Sequence, residues 1–233
     1  MKKKMMASLL VGSAVVGASL APLSAQAVTT GNTPVQVEFG GGVLPDGNGG
    51  PNTVRPNPDA TNSDFDLLFI PKGYIFGKLS ISDDLTKPIP LRSPGYFDSV
   101  GVGDVRGTKE GWHLTAQSSD MTSGTESLQG NIYFKTISAY GLTYIETTNI
   151  YNMVTPTDTD PETLPDLPVP KDWSASFGGD AQIIANAPVG KGQGTWGFML
   201  KDVALNITTP ANDIKAGAYT GNITWTLVAG PSI

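Results

Sequence analysis

The sequence predicts an all-β protein: a single β-sandwich or barrel-like domain of about ten short strands with two long irregular loops. Three observations carry this. Apolar residues alternate with polar ones far more often than they recur at helical spacing. Gly and Pro, 28 and 18 of 233 residues, punctuate the chain at short intervals. No stretch offers a convincing long helix.

The chain opens MKKKMMASLLVGSAVVGASLAPLSAQA. A basic start at Lys2, Lys3 and Lys4, an apolar run from Leu9 to Leu20 and the small residues Ala25-Gln26-Ala27 have the form of an export signal over residues 1–27. The run falls short of the roughly 20 residues a membrane-spanning helix needs. No second hydrophobic segment follows, so the reading is a secreted domain over residues 28–233 without a membrane span.

Cysteine is absent. That excludes a disulfide framework, a thiol nucleophile, a Cys-ligated metal and a lipid-modified Cys, and leaves stability to packing. The formal charge of −6 includes the three leader lysines, so the exported chain carries −9. An acidic chain without a basic cluster is a poor partner for nucleic acid or for an anionic membrane surface.

Strands are expected at Val35–Phe39, Phe65–Ile70 and Tyr74–Ser82, the last with Ile75, Gly77, Leu79 and Ile81 on one face. Further strands are expected at Gly111–Ser118, Ser127–Ile137, Leu142–Thr147, Gln182–Ala185, Thr195–Leu200, Val203–Thr208 and Ala218–Val228. Two segments break the rhythm. Residues 40–63 hold six Gly, four Pro and four Asn, little apolar material to offset the entropy of ordering, and read as a flexible loop. Residues 155–170 carry five Pro and four acids without a base and read as an extended acidic surface loop.

Two Trp-x-Leu triplets stand out: Trp112-His113-Leu114 and Trp225-Thr226-Leu227. In the second, Tyr219, Gly221, Ile223, Trp225 and Leu227 alternate with Thr and Asn, the pattern of a half-buried strand. In each triplet Trp and Leu share a face, which places both Trp residues chiefly in the core. Stacking of exposed indoles on a sugar is the alternative reading.

Together these stretches resemble the WxL family of cell-surface proteins of low-GC Gram-positive bacteria. The resemblance rests on three places and covers essentially the whole exported chain. An Asp-x-Arg-Gly turn (Asp104, Arg106, Gly107) precedes the Gly-Trp-x-Leu strand. A tyrosine, Tyr219, precedes Trp-Thr-Leu near the C-terminus. FDLLFIPKGYIFGKLSIS looks like the family's early strand pair with its Phe-Gly turn. The resemblance implies non-covalent attachment to peptidoglycan, alone or with companion surface proteins, and a location at the cell wall. The sequence agrees in having no LPxTG-type sorting signal.

Other chemistry is thinly supported. The single histidine, His113, sits in mid-strand, with no GxSxG serine to complete a triad, and one His without Cys makes no zinc site. Asp83 with Asp84, or Asp158, Asp160 and Glu162, would have to supply the carboxylates of a wall glycoside hydrolase, a remote alternative. The spacing of Asp158, Asp160 and Glu162 is also that of a weak calcium site, without the glycine of an EF-hand loop. Asp104 and Arg106 form a candidate ion pair that shapes the turn before Trp112. Trp173, beside the Pro-rich loop and between charged residues, is the candidate for an exposed aromatic contact with ligand. The expectation is therefore a non-catalytic wall-binding protein with no cofactor. The rival is a purely protein–protein module that reaches the wall through a companion.

Overall fold

A computed structural model describes residues 31–91, 98–154 and 160–232. The expected export signal, residues 1–27, lies outside the described residues. The chain divides into two units, Met1–Glu38 and Phe39–Ile233. In the first, residues 31–38 form no secondary structure and are exposed, so the strand expected from Val35 is not formed.

The second unit is all-β. Its strands are β1 (Thr53–Val54), β2 (Phe65–Pro71), β3 (Ile89–Pro90), β4 (Ser99–Asp104), β5 (Trp112–Ser118), β6 (Met121–Ser123) and β7 (Glu126–Leu128). They continue as β8 (Gly130–Ile145), β9 (Ile150–Met153), β10 (Lys171–Ser176), β11 (Gln182–Ala187), β12 (Gly194–Ile207) and β13 (Ile223–Ala229). The larger sheet runs β1-β2-β4-β12-β8-β10, with β3 on β12 and β9 on β8, and curls into a half-barrel. A second sheet, β11-β5-β13, lays its inner face on the first, and β6 and β7 form a small hairpin. Every strand pairing is antiparallel.

The core lies between the two sheets. From β5 come Trp112, Leu114 and Ala116; from β4 and β12 come Val100, Val102, Trp196, Phe198 and Leu200; from β8 comes Phe134. Alternation produces this directly, because every second side chain of β5 points inward. Trp112 meets Phe198 edge-on, ring centroids 6.0 Å apart, a geometry the ring quadrupoles favour.

Several elements differ from the sequence expectation. The segments anticipated as Ser127–Ile137 with Leu142–Thr147, and as Thr195–Leu200 with Val203–Thr208, are mostly taken up by two long strands, β8 and β12. Tyr74–Ser82 is not a strand: residues 72–80 run as a strap without ladder pairing. Its inward residues are Tyr74 and Phe76, packed against the core, whereas Ile75 is 76% exposed and Ile81 56%. The kink at Gly77, with φ of 84°, breaks the regular alternation.

The Gly/Pro/Asn-rich stretch 40–63 is docked rather than loose. Leu44 and Thr53 are buried, and Leu44 joins Leu68, Phe69, Leu142 and Tyr151 in a second small core. Tyr151 donates its phenol O–H to the Pro45 carbonyl at 2.7 Å, and Arg55 pairs with Asp46 at 2.9 Å. Of the acidic Pro-rich stretch, residues 155–159 lie outside the described residues. Further on, Asp166 and Asn186 exchange two backbone hydrogen bonds of 2.7 and 2.9 Å, which fastens the stretch to β11.

Candidate functional site

The first triplet lies at the centre of the structure. Trp112 and Leu114 are fully buried. The Trp112 indole N–H donates to the Gly192 carbonyl at 2.9 Å, which satisfies its polar edge inside the core. His113 points away from the core, its Nδ1 2.9 Å from the Gly230 carbonyl oxygen, and ties the end of β13 to β5.

Ahead of this strand, Asp104 and Arg106 form a two-pronged pair. Arg106 donates Nε–H to Asp104 Oδ1 at 2.9 Å and an Nη2 hydrogen to Oδ2 at 2.8 Å. The guanidinium also reaches Glu110 and the Gly111 carbonyl and lies over the Phe65 ring, 3.8 Å from its centroid. The Asp104 side chain is 2% exposed and that of Arg106 12%. The hydrogen bonds that Arg106 donates to Asp104 push the Arg106 pKa up against the opposing effect of burial, so the guanidinium stays charged. This geometry fixes the turn into β5 and leaves little of either side chain for a ligand.

The second triplet is less enclosed. Trp225 and Leu227 are half-buried, as is Tyr219, and Tyr219 lies before β13, its O–H donated to the Lys215 carbonyl at 3.0 Å. The Trp225 ring stacks parallel to Phe134 at 6.5 Å and also lines a cleft. Leu227 edges a smaller hollow of about 240 Å³ beneath residues 56–67.

Trp173 is not an exposed contact. It sits on β10, 2% exposed, stacked on its cross-strand partner Phe134 at 4.8 Å, with its indole N–H on the Ile183 carbonyl at 3.0 Å. The charged neighbours misled the reading: in Lys171–Ser176 alternation sends Trp173 and Ala175 inward and Asp172 and Ser174 outward.

The acidic candidates hold turns. Asp83 accepts the Ser80 N–H at 2.7 Å; Asp84 pairs with Lys87 at 2.9 Å and bonds Thr86. The Thr86 hydroxyl lowers the Asp84 pKa, the reverse of what a general acid needs. Asp160 accepts the Glu162 N–H at 2.9 Å, and Asp158 lies outside the described residues. Among the described residues no group of three or more His, Asp or Glu side chains is gathered to hold a metal.

A cleft of about 1370 Å³ opens on the surface. One wall is the strap from Lys72 to Ile81, the other the stretch 214–222. The floor carries Leu128, Ile132, Leu205, Ile207 and Phe177, with Trp225 at one side. Sequence reading missed this site because both walls fall in segments expected as strands, Tyr74–Ser82 and the start of Ala218–Val228, whereas residues 72–80 form no ladder and β13 begins only at Ile223. The interruptions at Gly73 and Gly77 were the available sign.

Among the described residues no helix is long and apolar enough to cross a membrane. Comparison with curated proteins and with solved structures returned no match. A family model described as "WxL domain surface cell wall-binding" matches residues 26–231. The chain therefore belongs to the WxL family of surface cell wall-binding domains.

Proposed function

We propose that this chain is a non-catalytic surface protein that attaches non-covalently to peptidoglycan and assembles with other surface proteins. The family match over residues 26–231 carries the wall attachment. The cleft supports the assembly: its floor is apolar and its walls are two runs of chain, a shape suited to an extended peptide. Of the carboxylates considered for hydrolysis, Asp83 and Asp160 accept backbone N–H groups in turns and Asp84 pairs with Lys87, which gives the hydrolase reading no support.

One observation favours the rival reading, in which a companion protein mediates the contact with the wall. Trp173, the aromatic offered for sugar stacking, is inside the core. Pelleting of the exported chain with sacculi stripped of protein and teichoic acid decides between the two. Saturable pelleting that moderate salt hardly changes supports direct recognition of peptidoglycan, because an acidic chain gains nothing from an anionic wall. A folded chain that stays in solution reaches the wall through a companion.

A further inference from the structure

We propose that the cleft receives the segment Thr33–Phe39 of a second copy of this chain, laid along it in extended form. This rests on the cleft being the assembly surface. The segment reads TPVQVEF: Val35, Val37 and Phe39 fall on one face of an extended chain and Gln36 and Glu38 on the other. In the described structure these three apolar residues are 92%, 71% and 87% exposed. An alternating apolar strip of this kind, left without a cover, has the pattern of a strand that completes its burial on another surface.

The cleft offers the matching surface. Residues 73–79 make no backbone hydrogen bond among the described residues, so an incoming chain finds free donors and acceptors along that wall. The apolar floor suits two valines and a phenylalanine. From Val35 to Phe39 an extended chain covers roughly 13 Å, within the reach of the seven-residue wall. Charge agrees as well: Lys72, Lys78 and Lys215 line the cleft against one acid, Asp83, in a chain that is acidic overall. Lys215 already reaches Glu126; Lys78 has no ion-pair partner among the described residues and is available to Glu38.

Donor and acceptor differ, so the contact is heterologous and can pass from copy to copy or close as a reciprocal exchange. Sedimentation of residues 28–233 should show a mass that rises with concentration. The triple variant Val35→Ser/Val37→Ser/Phe39→Ser should melt at the same temperature and sediment as a monomer. A labelled peptide of residues 31–42 should bind that variant saturably, at least tenfold more weakly once Ile75→Asp or Leu79→Asp is added to the wall. A native chain that is monomeric at every concentration overturns the proposal, including when the peptide binds, since the segment would then serve its own copy. Peptide binding indifferent to the wall substitutions overturns it too. Pelleting of the triple variant with sacculi reports wall attachment separately, so failure of self-association and failure of wall binding are read apart.

Discussion

Trp112 and Trp196 donate their indole N–H groups to the same acceptor, the carbonyl oxygen of Gly192, each at 2.9 Å. One carbonyl with two lone pairs thus satisfies the polar edges of two buried indoles from facing sheets. Gly192 can serve because it takes φ of 76° and because a Cβ there would lie 2.6 Å from the Trp112 indole nitrogen. The first triplet therefore acts through a packing junction rather than through a displayed ring.

Truncation at this junction should be costly. Trp112→Ala removes a buried aromatic and should lose about 3–5 kcal/mol in urea unfolding followed by circular dichroism. Gly192→Ala should be destabilising on the same scale, since it combines backbone strain with a collision against the indole. Full stability in Trp112→Ala together with lost wall binding would instead make the ring a ligand contact.

The Asp104–Arg106 pair should behave as a buried structural pair. Arg106→Ala leaves the nearly inaccessible Asp104 carboxylate without its partner, a loss of about 3–5 kcal/mol. Arg106→Lys should recover only part of it, because an ammonium cannot reproduce the two-pronged bond or lie flat on Phe65. The double variant with Asp104→Asn should be less unstable than the two single losses added together, which a double-mutant cycle measures directly.

Legibility in the sequence followed burial geometry. β5 and β13 were readable because one face is covered and the other is not, so composition alternates. β4 was missed: all six residues of SVGVGD are buried, alternation is absent, and its glycines resemble a turn. Gly101 is there because the Phe69 ring lies where its side chain would be, 2.4 Å from an added Cβ, a contact made by residues 32 positions apart and invisible to any local pattern. The attachments of residues 40–63 were hidden for a similar reason. Composition records few apolar residues in that stretch, but not that Leu44 is buried and Arg55 is bound. The family resemblance was legible from two triplets and a turn, whereas the cleft is made by segments brought together only in the folded chain.

Tyr74 supplies a test of pH dependence. Its phenol tip is buried and has no hydrogen-bond partner among the described residues, although the residue as a whole is half-buried. Burial first, and the Asp98 carboxylate second, push its pKa well above the ordinary value. The folded protein therefore keeps this proton where the unfolded chain releases it, near pH 10. The contribution of Tyr74 to stability is complete below about pH 10 and is lost as pH rises beyond it. Tyr74→Phe removes both the orphan hydroxyl and this titration. The variant should gain about 1–3 kcal/mol at neutral pH, and its advantage in unfolding midpoint should widen above pH 10. A variant less stable than the parent at both pH values would mean that the hydroxyl is bonded in solution.

The stacked trio Trp173, Phe134 and Trp225 separates core from cleft. Phe134 lies parallel to both indoles, within 10° and 11°, yet Trp173 is enclosed and Trp225 borders the cleft. Trp173→Ala should cost about 3–5 kcal/mol, the value for a fully buried aromatic, and any binding defect should follow the unfolded fraction. Trp225→Ala removes a ring that is already partly in water, so its stability loss should be smaller. Because that ring forms part of the cleft, the variant should weaken peptide binding at temperatures where it is fully folded. Equal stability losses for the two variants, with peptide binding intact in Trp225→Ala, would place Trp225 wholly with the core and remove it from the cleft's binding surface.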